Sequence, residues 1–316
     1  MGAAIESSTE KIATRAAYGK TLLELGKENN DIVVLDADLS GSTQTKHFAK
    51  EFPERFFNMG IAEANMISTA AGLAKAGKIP FASSFAMFAT GRAWEQVRNS
   101  VAHNHANVKI CATHSGLTVG EDGASHQIIE DIALMKAIPG MTVIVPADSV
   151  ETEQVIRTIA EYNGPVYVRL GRAAVPIIHD DSHKFEIGKA NVLKEGTDAT
   201  IVATGVMVSR ALEAAQQAEA QGKSVEVINV ASIKPLDTET IIKSANKTKK
   251  VITAEEHNIW GGLGDSVASA ILENASEKVK FKRLGVNDLF GQSGKAEELL
   301  DHYDLTAEKL LSLAIS

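Results

Sequence analysis

An α/β protein built from two doubly wound domains with mostly parallel sheets is the architecture this sequence predicts. Three features carry that reading. Helix-like segments alternate with short apolar runs; the runs are continuously apolar, as in strands buried on both faces; and the alternation stops once, over residues 171–188, before it resumes. With 316 residues and 44% hydrophobic content, the chain has apolar material for two cores of ordinary size. The expected domains are residues 1–178 and 188–316.

The elements follow in order. The first helix is expected near residues 9–28, opened by the capping-box pair Ser7 and Glu10, with Ile12, Ala16, Gly19 and Leu23 on one face. Strands are expected at DIVVLDAD, KIPFASS, VKICATH, MTVIVP and PVYVRL. A helix is expected after Asp148, ending near the turn at residues 163–165. Residues 171–188 carry Pro176 and the Asp180–Asp181 pair without a sustained period, which suits a connection between domains. Beyond it come the strand ATIVATG, a helix bearing Val208, Ala211, Leu212, Ala215 and Ala218, and the strands SVEVINV, KVITAEE and KVKFKRL.

Composition removes several classes of function. Thirty-two basic against 40 acidic residues give a net charge of −8 with no dense Lys/Arg cluster, which argues against a nucleic-acid partner. No apolar run approaches a membrane span, and the polar start of the chain lacks the apolar core of a secretory signal, so no membrane partner and a cytoplasmic location are expected. The one cysteine, Cys111, lies in an apolar strand and reads as a small buried hydrophobe. The glycines of WGGLGDSV (260–267) do not have the spacing of a dinucleotide fingerprint and read as a tight strand-to-helix turn.

In parallel sheets ligands sit at the carboxyl ends of strands, so the residues that end strands are the ones to question. Four groups do so: DADLSGS (36–42), GIAEAN (60–65), SSFAMF (83–88) and THSGLTVGEDGASHQ (113–127). The strand-ending RLGR adds Arg169 and Arg172. Each has a plain structural alternative. Asp36 and Asp38 could cap a turn, Phe85 and Phe88 could be core, and Glu63 could be a first-turn acid worth about 0.3–1 kcal/mol against the helix dipole.

The order of these motifs, with FNMGIAEANM, SFAMF, HSGLTVGEDGASHQ, RLGR, IKPLD and EEHNIWGGLGDSV, resembles the carboxyl-terminal part of transketolase, a thiamine diphosphate enzyme, over nearly the whole chain. The resemblance implies a pyrimidine-binding domain followed by the family's C-terminal domain. It implies transfer of a two-carbon ketol unit from a ketose phosphate to an aldose phosphate. It assigns Glu63 the task of placing a proton on the cofactor's aminopyrimidine, since a carboxyl among Ala, Ile and Gly is poorly solvated and suited to share one. Phe85 and Phe88 would face the pyrimidine, Asp38 would lie near the thiazolium, and Asp122 would accept from a sugar hydroxyl. His114 and His126 would move protons at substrate oxygens, and Arg15, Ser42, His114 and Arg172 would hold the sugar phosphate. No Gly-Asp-Gly element occurs in the sequence, so magnesium ligands are expected from an N-terminal partner subunit carrying the diphosphate-binding domain, in a two-plus-two assembly. The Glu63 chemistry is shared with the beta subunits of 2-oxo acid dehydrogenases and with deoxyxylulose-phosphate synthase; His114, the GEDG loop and Arg172 favour a sugar phosphate. An assembly module without catalysis has no chemical need for Glu63, Asp122, His114 and His126 together.

Overall fold

The buried apolar runs become strands because hydrogen-bonded pairing satisfies their backbone where water cannot. The computed structural model describes residues 10–180 and 182–316. The first half contains β1 (Lys11–Ala13), α1 (Thr14–Glu28), β2 (Ile32–Asp36), α2 (Ser40–Thr43), α3 (Lys46–Glu51), β3 (Phe56–Asn58), α4 (Glu63–Lys75) and β4 (Ile79–Ser83). Two π-helical turns, Met87–Arg92 and Val97–Ala102, flank α5 (Trp94–Gln96). Then follow β5 (Lys109–Ala112), α6 (Asp131–Lys136), β6 (Thr142–Ile144), α7 (Ser149–Glu161), β7 (Val166–Arg169) and β8 (Ala174–Pro176). The second half contains β9 (Asn191–Lys194), β10 (Ala199–Ala203), α8 (Met207–Glu219), β11 (Val225–Asn229), β12 (Ser232–Lys234), α9 (Thr238–Thr248), β13 (Lys250–Asn258), α10 (Leu263–Asn274), β14 (Lys280–Val286), α11 (Ala296–His302) and α12 (Ala307–Ile315).

Strands β12-β6-β7-β5-β4-β2-β3 form a seven-stranded sheet, parallel throughout except at β12, and β14-β13-β10-β11-β9 form a five-stranded sheet, parallel except at β9. The larger sheet is covered on both faces. Tyr18 and Leu22 of α1 meet Val155 and Ile156 of α7 on one face, while Met66, Ile67 and Ala70 of α4 belong to the core on the other. Val202, Ile228 and Leu263 of the second half extend that second core, so the two halves share packed interior. Strand β12 crosses over to pair antiparallel with β6, with the Val145 N–H donating to the Ala231 carbonyl at 2.8 Å. Among the described residues, no helix is long and apolar enough to cross a membrane.

The expected first helix is shorter than its pattern suggested. Residues 11–13 are strand, paired antiparallel with Ala174–Pro176, and the helix starts at Thr14. The Ser7 half of the expected capping box lies outside the described residues, as does Asp181. Gly19 is buried as expected, but Ala16 is exposed and Leu23 half-buried, because the bulky Tyr18, Leu22 and Leu25 set the inward face, with Ala17 beside them. The same pairing corrects the aperiodic reading of 171–188: β8 is short and its partner lies more than a hundred residues away, so no local period announces it. Phe56–Asn58, Asn191–Lys194 and Ser232–Lys234 are further short strands absent from the sequence reading. The helix after Asp148 forms as expected, with the Asp148 carboxylate accepting from the Glu151 N–H. Cys111 is a free, buried thiol on β5 whose pKa burial pushes far up.

The glycine-rich turn before α10 has a specific cause. The buried Glu255 carboxylate accepts from the Leu263 and Gly264 N–H groups at 2.7 and 2.8 Å. A Cβ on Gly262 would sit 1.9 Å from Glu255 Oε2. A helix start that would otherwise attract an anion is filled by the chain's own carboxylate.

Candidate active site

Strands β7, β5, β4, β2 and β3 are neighbours and parallel, so their carboxyl ends form one rim. Every candidate residue but Arg15 follows one of these ends, and α1 brings Arg15 to the same place. At the end of β4, Phe85 bridges to Thr113 beyond β5, which brings two loops into register. The Phe85 ring stacks on the His114 imidazole with centroids 3.8 Å apart. Phe85 and Phe88 lie nearly parallel, 14° apart in plane with centroids 6.1 Å apart, because both stand on the first turns after the strand. The His126 ring meets Phe88 edge-on at 5.4 Å. Phe85 is buried and Phe88 half-buried, so Phe88 keeps surface for a ligand.

Glu63 opens α4 with only 2% of its surface exposed. Its Oε2 is 3.3 Å from Nη1 of Arg92, whose guanidinium also lies 5.5 Å from the Phe88 ring centroid. Arg92 thus links the carboxylate to the ring cluster. The sequence reading passed over it because it sits inside FATGRAW, where only the π-helical turn aims it back at α4.

His114 has a left-handed backbone at φ +57°, a conformation that costs a side-chain-bearing residue of the order of 1 kcal/mol. Burial, then the charges of Arg15, Arg172 and His126, lower its pKa to about 3, so the imidazole is neutral at pH 7 with one donor and one acceptor nitrogen. Thr113 Oγ1 lies 2.8 Å from its Nδ1. Arg15 is in the first turn of α1, not mid-helix as its place in the longer expected helix implied, and donates to the Ser42 carbonyl at 2.9 Å. Its pKa is lowered by burial and by the nearby Arg172. Arg172 donates to the Val119 carbonyl at 2.6 Å and pairs with Glu121 at 2.8 Å. Arg15, Ser42, His114 and Arg172 are therefore gathered in one electropositive corner.

Asp38 is exposed, with φ +64°, and accepts from the Asn58 amide at 2.9 Å. Asp122 is exposed in the loop beside Glu121. Arg169 does not join the rim. It is buried against Asp131 at 2.8 Å and donates to the Glu256 carbonyl at 3.0 Å, a structural network that also holds the Tyr167 hydroxyl. Asp36 is likewise spent inside, accepting from the Leu39 N–H and the Thr43 and Thr45 hydroxyls.

The second half braces the loop that carries these groups. Glu256 accepts from the Thr118 N–H at 2.5 Å, and the chain passes so close that a Cβ on Gly116 (φ +77°) would stand 2.3 Å from the Glu256 carboxyl. Gln127 donates to the carbonyls of Leu117, Gly120 and Gln292, and the Ser293 hydroxyl to that of Glu121. Nothing in the sequence spacing foretold the contacts of Glu256, Gln292 and Ser293 with this loop, which join positions more than a hundred residues apart.

Comparison with known proteins gives the family. The family model of the transketolase pyrimidine binding domain matches residues 10–177, and that of the transketolase C-terminal domain matches residues 188–310. The chain is 58% identical, over 94% of its length and 93% of the relative's, to a protein of Methanocaldococcus jannaschii assigned as a transketolase C-terminal section. It is 42% identical to the 6-deoxy-6-sulfo-D-fructose transketolase subunit SqwH of a Clostridium species, over 99% of this chain and 97% of that one. A solved split-gene transketolase, described as an inactive beta4 tetramer, superposes with a TM-score of 0.88 at 52% identity, covering 96% of this chain and 97% of the other. By sequence and by fold, the chain belongs to the transketolase family.

Proposed function

We propose that this chain is the C-terminal subunit of a thiamine-diphosphate-dependent transketolase that moves a two-carbon ketol unit between sugar phosphates, with its first half the pyrimidine-binding domain (to residue 178) and its second the C-terminal domain (from 188). The observation that carries the reading is the convergence at one rim of a buried carboxylate, Glu63, with the parallel rings of Phe85 and Phe88 and an electropositive corner at Arg15, His114 and Arg172. These residues fit an aminopyrimidine. Phe88 is half-buried, and Arg92, which lies over its ring and against Glu63 with a side chain 58% exposed, can swing outward so that the ring and the carboxyl both meet the pyrimidine. When bound, the cofactor supplies the carbon nucleophile that cleaves the ketose next to its carbonyl. Glu63 holds the proton at the pyrimidine nitrogen. The neutral imidazole of His114 and the ring of His126 donate to and accept from substrate oxygens, and Asp122 accepts from the hydroxyl beside the carbonyl. Asp38 stands near the reacting ring.

Two guanidiniums drawn together repel until an anion lies between them, so Arg15 and Arg172 suit the anionic end of a sugar, phosphate or sulfonate. His114 and the Ser42 turn complete that corner. The diphosphate and its magnesium find no comparable place. Asp36 is fully engaged, and among the described residues the one group of three or more His, Cys, Asp or Glu side chains placed to share an ion is Glu151, His179 and His183, which follow β6 and β8 and not a rim strand. A partner chain carrying a Gly-Asp-Gly…Asn element supplies that site in this reading. Ile61, two residues before Glu63, is 76% exposed, which fits a rim covered by another subunit. The experiment is reconstitution. Thiamine diphosphate and magnesium are titrated into the purified chain with and without the candidate partner, and ketol transfer is followed over a panel of ketose phosphates and sulfonates. Transfer that appears only with the partner is expected, and full-rate transfer by this chain alone would overturn the reading.

A further inference from the structure

The connection between the two halves carries a second cluster of titratable groups, which the chemistry above does not use. Glu151, in the first turn of α7, is buried. Its Oε2 accepts from the Ala147 N–H at 2.7 Å, and its Oε1 accepts from the Asn229 amide at 2.7 Å. His179 and His183, spaced four residues apart in the connecting segment, turn back onto it with ring centroids 3.9 Å from each other. His179 Nδ1 donates to Asp148 Oδ2 at 3.1 Å, which makes Nε2 the ring's acceptor, where it faces the cluster and takes a long 3.4 Å hydrogen bond from the Asn229 amide. His183 Nε2 lies 3.4 Å from Glu151 Oε1, is buried and has no hydrogen-bond partner. One ligand atom from each of Glu151, His179 and His183 falls within 4.8 Å of the other two. A cleft of about 290 Å³ lined by Glu151, His183, Asn191 and Asn229 gives solvent access.

We propose that Glu151, His179 and His183 bind a divalent transition-metal ion, zinc being the ion best suited to two imidazoles and one carboxylate, with water from the cleft as a fourth ligand. Four observations carry it. An unpartnered, buried imidazole nitrogen is costly, because it has given up water for no other partner, and a metal bond removes that penalty. Two imidazoles stacked this closely repel when both are protonated, whereas as neutral ligands of one cation they do not. The His179–Asp148 hydrogen bond is the outer-sphere partner that metal-bound histidines commonly have, fixing the tautomer and raising the basicity of the ligating nitrogen. Asn191, 3.2 Å from His183 Nδ1, can do the same with its amide oxygen turned to accept.

Zinc–ligand bonds of about 2.0–2.1 Å imply ligand atoms roughly 3.3 Å apart, so the His183–Glu151 separation of 3.4 Å already matches and no separation has to close by more than about an ångström and a half. The ion would tie α7, the connecting segment and, through Asn229, the end of β11. It acts as a brace between the halves, not as part of the rim chemistry.

The test uses the full chain stripped of metal and titrated with zinc by calorimetry, with melting followed in parallel. One ion per chain at micromolar or tighter affinity, with a raised Tm, is expected because the ion binds only the folded state. His183→Ala should weaken binding about 100-fold or more, the upper end of what outer-sphere partners alone are worth. His126→Ala, which removes a histidine of the rim, should leave zinc affinity unchanged. Because His183→Ala removes a buried ring and could fail to fold, cobalt substitution and zinc-edge X-ray absorption on the unaltered chain give an independent answer. Tetrahedral cobalt bands and two imidazole ligands support the site. Absent binding, binding unchanged in His183→Ala, binding lost in His126→Ala, or fewer than two imidazoles at the ion would each overturn it.

Discussion

Glu63 and Arg172 are the residues at which the proposed chemistry is most exposed to test. Glu63→Gln keeps the shape of the buried side chain but cannot hold the transferable proton. In the reconstituted complex, exchange of the thiazolium proton followed by NMR should slow by orders of magnitude. The fold should hardly notice, since the lost pair with the half-exposed Arg92 is worth about 0–1 kcal/mol. An unchanged exchange rate would remove Glu63 from the mechanism. Arg172→Ala should raise KM for phosphorylated donors strongly, by a factor corresponding to about 1.5–3 kcal/mol for a charge-assisted contact, and leave hydroxypyruvate nearly unaffected. Arg172 also holds Val119 and Glu121, so Glu121→Gln is the control that separates a loosened loop from a lost anion contact. Equal losses for both donors would make Arg172 a loop brace.

Among the elements, the α10 start shows most plainly how a motif can suggest one function and serve another. Gly262 admits Glu255, while Gly261 and Gly264 let the turn pack on Ala133 and Arg283. Gly262→Ala would force the carboxylate off the Leu263 and Gly264 N–H groups, leaving a buried charge and two orphan donors. A loss of at least about 2 kcal/mol in denaturant-induced unfolding is expected. A variant as stable as the parent would show that the turn relaxes freely. The elements legible in the sequence were those with strong local signals: β2, β4, β5, β6, β7, β10, β11, β13 and β14 as apolar runs, α7 from its Asp148 cap and closing turn, and α8 as an amphipathic stripe. Strands β1, β8 and β12 were not legible. Each is three residues long and owes its conformation to a partner distant in sequence.

For the whole molecule, the crossing strand β12, the shared core and the Glu256 contacts join the halves into what should be one cooperative unit. The chain has two tryptophans, Trp94 in the first half and Trp260 in the second, so each half carries its own reporter. Trp94→Phe and Trp260→Phe, unfolded in urea at equal protein concentration, should report coincident fluorescence transitions. Separate midpoints would mean that the halves unfold independently and that the brace on the 113–127 loop is weak.

The sequence by itself determined the parallel α/β class, the pause between the halves and the identity of nearly every rim residue, because strand burial writes itself as continuous apolar runs and ligands in such sheets gather at strand ends. The segments that hold Glu63, Phe85, Phe88 and His114 were found that way, and the resemblance to transketolase picked those residues out within them. Tertiary structure alone decided which charges face the rim and which are spent inside. Arg169 and Arg172 stand three positions apart in one motif, yet the first is neutralised in the core by Asp131 and the second reaches the loop. Arg92 became the partner of Glu63, and Glu256 the support of the loop, through contacts that no local spacing encodes. The physical reason is common to all three: a side chain's charge partner is chosen by where distant strands bring their ends together, and that is a property of the sheet order, not of the neighbours in the chain.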